Sequence, residues 1–154
     1  MSYKIQFDPE RCVACGACTV ACMDQNDILM QEGVDLHEDH FIRKTYTTEV
    51  EMDGAVQIGY FSTACQHCDN APCIAVCPAD CLFKDPGTGF VVYDTTDCIG
   101  CRRCYMACPH EAVLFGKDGK MVKCDGCSER VKAGLLPACV AVCPFDALVL
   151  EKTV

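Results

Sequence analysis

The sequence predicts an α+β fold of two nested modules, with a β-hairpin inserted between their parts. Three observations carry that expectation. Four cysteine runs repeat one pattern, with residues inserted before the third cysteine in the second and fourth, at Cys12, Cys15, Cys18 and Cys22, at Cys65, Cys68, Cys73 and Cys77, at Cys98, Cys101, Cys104 and Cys108, and at Cys124, Cys127, Cys139 and Cys143. Short β-prone stretches closed by Gly, Pro and Asp turns lie between the runs. One long cysteine-free stretch, residues 23–64, separates the first run from the second.

Residues 3–7 alternate, with Tyr3, Ile5 and Phe7 on one face and Lys4 and Gln6 on the other. They read as a strand ended by Asp8-Pro9. Small residues in the first run (Ala14, Gly16, Ala17) let the backbone pack closely, and Thr19–Met23 reads as a helical turn or two. In the insertion, Phe41–Val50 and Ala55–Phe61 flank Met52-Asp53-Gly54, the pattern of an antiparallel hairpin with its turn at Asp53-Gly54. Asp35–His40 reads as loop. The second run carries two extra residues within Asp69-Asn70-Ala71-Pro72, and Cys81–Lys84, Asp85–Gly89 and Phe90–Tyr93 follow as strand, turn and strand. After the third run Ala112–Phe115, Gly116–Lys120 and Met121–Lys123 repeat that hairpin, and Ala147–Leu150 closes the chain as a strand.

The spacing specifies the chemistry. Three thiolates at C-x2-C-x2-C converge on one face of an iron–sulfur cube, and a fourth cysteine three residues on, followed by proline, completes the bacterial ferredoxin run. Runs two, three and four end in Cys77-Pro78, Cys108-Pro109 and Cys143-Pro144; the first ends in Cys22-Met23. Structural zinc would need two pairs of thiolates without the third and trailing cysteines. A disulfide scaffold would need an export signal. Met1–Asp8 offers no basic segment, apolar core or cleavage site, and no apolar stretch approaches the roughly 18 residues of a membrane span. The chain is therefore expected in the cytoplasm, the alternative being export alongside a signal-bearing partner subunit. No direct membrane insertion is expected.

In two-cluster ferredoxins the fourth cysteine of each run serves the other cluster, so runs work in reciprocal pairs. Runs two and three are joined by a short connection that contains one hairpin; the other two are left to pair through the ends of the chain. This gives an outer ferredoxin-like module from residues 1–24 and 116–154, an insertion over 25–64, and an inner ferredoxin-like module over 65–115, each module holding two 4Fe-4S clusters. Cluster 1 then takes Cys12, Cys15, Cys18 and Cys143, and cluster 2 takes Cys22, Cys124, Cys127 and Cys139. Cluster 3 takes Cys65, Cys68, Cys73 and Cys108, and cluster 4 takes Cys77, Cys98, Cys101 and Cys104. Sixteen of the seventeen cysteines are used. Cys81 is expected as a small buried apolar side chain.

Composition narrows the function. Aromatics make up 8% of the 154 residues and tryptophan is absent, so metal–thiolate bonds are expected to supply much of the folding free energy. A net charge of −9, from 13 Lys and Arg against 22 Asp and Glu, argues against nucleic acid as a partner. A cube closed by four thiolates leaves no open iron for substrate, and neither a Ser-His-acid pattern nor a Rossmann or P-loop glycine motif is present. The expectation is a one-electron relay and not an enzyme in itself. Arg102, Arg103, His67 and Lys123 are candidate groups for tuning the potentials, with His67 as a hydrogen-bonding group and not a ligand.

With the four runs in this order, the polar insertion, and the fragments Cys-Gln-His-Cys-Asp-Asn-Ala-Pro-Cys at 65–73 and Pro-Ala-Cys-Val-Ala-Val-Cys-Pro at 137–144, the chain resembles the iron–sulfur subunits of the dimethyl sulfoxide reductase family. The resemblance covers essentially the whole chain. It implies four 4Fe-4S clusters in a row, with cluster 1 next to a catalytic subunit of the molybdenum or tungsten pterin type, as in formate dehydrogenase, polysulfide reductase or aldehyde oxidoreductase, and a second redox partner beyond. Many members carry a C-terminal extension reaching a membrane anchor; this sequence runs to Val154. All sixteen ligand positions are cysteine, which favours four 4Fe-4S centres. The competing readings are a free polyferredoxin or hydrogenase-linked carrier and, more remotely, a structural zinc protein.

Overall fold

A computed structural model describes residues 2–27 and 41–153. The loop expected at Asp35–His40 lies outside the described residues. Four two-stranded antiparallel sheets are seen among them, joined by short helices that carry the cysteine runs.

The ends of the chain meet. Strand β1 (Ser2–Phe7) pairs with β8 (Leu148–Thr153) from Ser2 opposite Thr153 to Phe7 opposite Leu148. The two-residue period puts Ile5, Phe7, Leu148 and Leu150 against Cys18, Cys139 and Val140, and this is one of the two apolar cores. Helix α1 (Ala17–Gln25) starts after Gly16, which sits at φ 80°. It is longer than the turn or two expected over 19–23. The Asn26 amide donates to the Cys22 carbonyl at 2.7 Å and closes the extra turn.

Strands β2 (Lys44–Met52) and β3 (Ala55–Thr63) pair across Asp53 and Gly54, whose φ values of 53° and 76° fit a two-residue hairpin turn. Most of this hairpin faces solvent, with Val56 and Ile58 well exposed. Its root is different: Ile42, Arg43, Ser62 and Ala64 are all buried. The hairpin therefore acts through its base.

Helices α2 (Pro72–Ala75) and α3 (Arg103–Met106) and the hairpins β4 (Leu82–Lys84) with β5 (Val91–Tyr93) and β6 (Val113–Phe115) with β7 (Met121–Lys123) form the second core. It consists of Leu82, Val91, Val113 and Met121 packed on Cys73 and Cys104. The extra residues of the fourth run fold as helix α4 (Ser128–Lys132), which the spacing alone did not indicate, before α5 (Ala138–Ala141).

Helix α4 joins the terminal half of the structure to the β4–β5 turn. The Asp85 carboxylate accepts from the Gly87 and Thr88 amides and the Thr88 hydroxyl, and pairs with Lys132 of α4. Thr88 also meets the Ser128 hydroxyl at 3.1 Å, and its carbonyl accepts from the Tyr3 amide at 2.8 Å. Burial alone would raise the Asp85 pKa; the hydrogen bonds from Lys132, Thr88 and Gly87 outweigh it and hold the carboxyl below its ordinary value. Beside this knot Phe90 is fully enclosed, 4.7 Å from the His67 ring.

Candidate metal centres

One backbone pattern serves all four cysteine runs. The third cysteine of each (Cys18, Cys73, Cys104, Cys139) is the second residue of a helix, α1, α2, α3 or α5. The residue two after the first cysteine is left-handed each time: Ala14, His67, Gly100 and Gly126, with φ between 47° and 72°. Glycine takes that region freely, whereas Ala14 and His67 are held there at a cost of about 1–2 kcal/mol each.

This conformation turns amide groups onto sulfur. The amides of Ala14, His67 and Gly126 donate to Cys12, Cys65 and Cys124 at 3.4, 3.5 and 3.4 Å. At the other end of two runs, the amides of Cys81 and Ala112 donate to Cys77 and Cys108 at 3.3 and 3.5 Å. Cys81 thus occupies the place of an alanine, four residues beyond a ligand candidate. It is buried, and its pKa is pushed up to about 11 by burial and then by Cys77.

Three of the fourth members lie with the partner run in space. Cys12, Cys15, Cys18 and Cys143 line one pocket, Cys65, Cys68, Cys73 and Cys108 a second, and Cys77, Cys98, Cys101 and Cys104, joined by Cys81, a third. The remaining thiols are grouped by electrostatics: Cys22 is raised first by burial and then by the neighbouring Cys124 and Cys139, with Cys127 adding to them.

All seventeen cysteines are free thiols. Thiolates on one zinc ion, with Zn–S near 2.3 Å, stand about 3.8 Å apart. Among the described residues no three Cys, His, Asp or Glu side chains come close enough to share a single ion. Four cysteines gathered from two runs, with each run supplying an amide donor to sulfur, fit the iron–sulfur cube that the ferredoxin spacing calls for. Burial pushes the Cys65 and Cys127 thiols up to about 11 and raises Cys73, Cys104 and Cys139 as well. A cationic core offsets that cost, because a coordinated thiol is deprotonated outright.

The four tuning candidates have different places. Arg102 and Arg103 are exposed, and the Arg102 guanidinium lies over the Phe115 ring at 5.2 Å. Lys123 is buried and donates to the Val91 and Cys124 carbonyls, both at 2.5 Å. His67 accepts from the Val91 amide at Nδ1 (3.0 Å), so the proton of the neutral ring sits on Nε2, 3.6 Å from Cys124 Sγ. Burial, and then Lys123 and Lys84, push its pKa down to about 3. With its amide on Cys65 and its ring on Cys124, His67 spans two of the four thiol sets.

Sequence reasoning missed the root of the insertion. The Arg43 Nη1 donates to Ser62 Oγ at 3.0 Å, and Ser62 Oγ lies 3.3 Å from Cys18 Sγ. Nothing in the spacing marks either residue, since Arg43 only precedes strand β2 and Ser62 lies within β3.

A family model for the 4Fe-4S dicluster domain matches residues 56–153, and one for the 4Fe-4S binding domain matches residues 5–22. The chain is similar to the B subunit of the anaerobic dimethyl sulfoxide reductase of Haemophilus influenzae, 38% identical over 95% of this chain and 72% of that protein. It is similar also to the thiosulfate reductase electron transfer subunit of Salmonella typhi, 40% identical over 95% and 73%. The corresponding B subunit of the anaerobic dimethyl sulfoxide reductase of Escherichia coli is 37% identical over 95% and 71%.

Proposed function

The chain belongs to the iron–sulfur subunits of the dimethyl sulfoxide and thiosulfate reductase family, and from that premise we propose that it relays single electrons through four 4Fe-4S clusters, to or from a catalytic subunit of the molybdenum or tungsten pterin type. The ligand sets are Cys12, Cys15, Cys18 and Cys143 for cluster 1, Cys22, Cys124, Cys127 and Cys139 for cluster 2, Cys65, Cys68, Cys73 and Cys108 for cluster 3, and Cys77, Cys98, Cys101 and Cys104 for cluster 4. Clusters 1 and 2 belong to the outer module and 3 and 4 to the inner.

The observation that carries the reading is the grouping of thiols, in which Cys143, Cys108 and Cys77 line the pockets of the first three cysteines of their partner runs, while Cys22 feels Cys124 and Cys139. Bound cubes supply reversible one-electron storage. The chain's own part is to fix their positions, exclude water from buried sulfurs, and present amide donors whose hydrogen bonds strengthen as sulfur gains charge. The row also has ends. Cys15 of set 1 and Cys101 of set 4 are the two exposed thiols, while sets 2 and 3 have none. Electrons enter and leave at clusters 1 and 4, one facing the catalytic subunit and the other a second redox partner. Among the described residues no helix is long and apolar enough to cross a membrane.

Anaerobic purification with iron and sulfide analysis tests this. The expected content is about sixteen iron atoms per chain, four cubes of four, with copurification of a large pterin-bearing subunit. Fewer than about twelve iron atoms overturns the four-cluster count. A stable, fully reducible monomer that recruits no catalytic subunit overturns the assignment to a complex.

A further inference from the structure

We propose that Arg43, carried in by the hairpin insertion, is the fixed positive charge that raises the reduction potentials of clusters 1 and 2 together. The inference rests on the ligand sets proposed above. It gives the insertion a task, since most of the hairpin is exposed while its root is sealed against the thiols.

Arg43 is only 5% exposed, and a guanidinium does not shed its charge. Burying such a group is costly unless anions surround it. Among the described residues no carboxylate forms an ion pair with it. The anions that act on it are the thiolates of Cys139, Cys124, Cys18 and Cys22, three from set 2 and one from set 1. Its contacts divide the same way. The guanidinium charge acts on the Cys139 thiol and lowers its pKa against the effect of burial, and it reaches Cys18 through the Ser62 hydroxyl, at 3.0 and then 3.3 Å. Having accepted from Arg43, Ser62 has its own proton free to donate to Cys18 sulfur.

A cube with four thiolates carries net negative charge and becomes one unit more negative on reduction. A buried cation within hydrogen-bond reach favours that reduced state, and low surrounding polarity enlarges the effect. The exposed Arg102 beside set 4 is screened by solvent, whereas set 3 has a buried cation of its own in Lys123, so Arg43 and Lys123 act on different parts of the row. The half-reaction is a bare electron transfer: the cluster gains one electron, its redox partner loses one, and no proton moves on Arg43. Its effect is therefore independent of pH.

The test is potentiometric EPR on the full, cluster-loaded chain, with signals assigned through single cysteine-to-serine variants. Arg43→Met is expected to lower the potentials of clusters 1 and 2 by at least tenfold in the reduction equilibrium, 59 mV for one electron, by the same amount at pH 6.5 and 8.5. Clusters 3 and 4 move much less. Arg43→Lys, which keeps the charge, recovers most of the shift, and Ser62→Ala lowers cluster 1 alone. Should Arg43→Met fail to take up clusters, the Ser62→Ala and Arg43→Lys measurements decide. Full iron content with unmoved potentials, or four potentials shifted alike, overturns the role of Arg43 and leaves the ligand sets standing; a wild-type chain without iron overturns the ligand sets themselves.

Discussion

Removing iron and sulfide under reducing, anaerobic conditions unfolds the chain. That outcome follows from how little else holds it. One core has six buried members, two of them cysteines, and the other has four, again with two cysteines. Ile99 and Met106, which a self-sufficient core would enclose, are each 72% exposed. Among the described residues nine other than glycine are held in the left-handed region, and the five that are not Asp cost about 1–2 kcal/mol each. The buried thiols resist ionisation where no metal offsets their charge. Structural zinc sites supply on the order of 10 kcal/mol of folding free energy through four metal–ligand bonds. With the four clusters proposed for this chain, cluster binding is expected to contribute more to folding than the two cores do. Circular dichroism and proteolysis of the apo-protein are expected to report an open chain; a protease-resistant apo-protein with native near-ultraviolet signal contradicts this.

The substitution expected to do most damage without touching a cysteine is Gly126→Ala. Gly126 has φ 72°, and its amide donates to Cys124 Sγ. An added Cβ would stand 2.4 Å from Phe90 Cδ2 and 2.5 Å from Cγ. The ring cannot yield, being fully enclosed and packed on His67. Left-handed strain of about 1 kcal/mol adds to an overpacking cost of about 1–3 kcal/mol. Gly119→Ala separates strain from overpacking, because Gly119 shares the conformation at φ 75° but has open space where its Cβ would go. Bleaching of the clusters in denaturant is expected to speed up on the order of a hundredfold for Gly126→Ala and about fivefold for Gly119→Ala. Equal acceleration in the two variants would show that Phe90 does not set the cost.

What the sequence made legible follows from what is periodic in it. Alternation in residues 3–7 placed Ile5 and Phe7 on one face, and they lie opposite Leu150 and Leu148. The turn at Asp53-Gly54 was readable because two positive φ values in succession call for such residues. The cysteine spacing marked which thiols could meet. What stayed hidden depends on single side chains or on conformations disguised by the residue that adopts them. Gly100 and Gly126 advertise a left-handed position; Ala14 and His67, at the same place in their runs, do not. Helix α4 hides in an interval that reads only as extra length. Arg102 and Arg103 lie inside a cysteine run, yet they face solvent, whereas Arg43, far from any cysteine in sequence, is buried and linked to Cys18 through Ser62. Adjacency along the chain was a poor guide to charge near sulfur.

The crossing of the fourth cysteines underlies every ligand set, and Cys143→Ser tests it most directly. Cys143 ends the fourth run but lines the pocket of Cys12, Cys15 and Cys18. EPR and iron analysis of the anaerobic variant are expected to show cluster 1 lost or converted to a three-iron centre, with the cluster of Cys124, Cys127 and Cys139 intact. Loss of that cluster, with the cluster at Cys12, Cys15 and Cys18 unchanged, would contradict the reciprocal pairing.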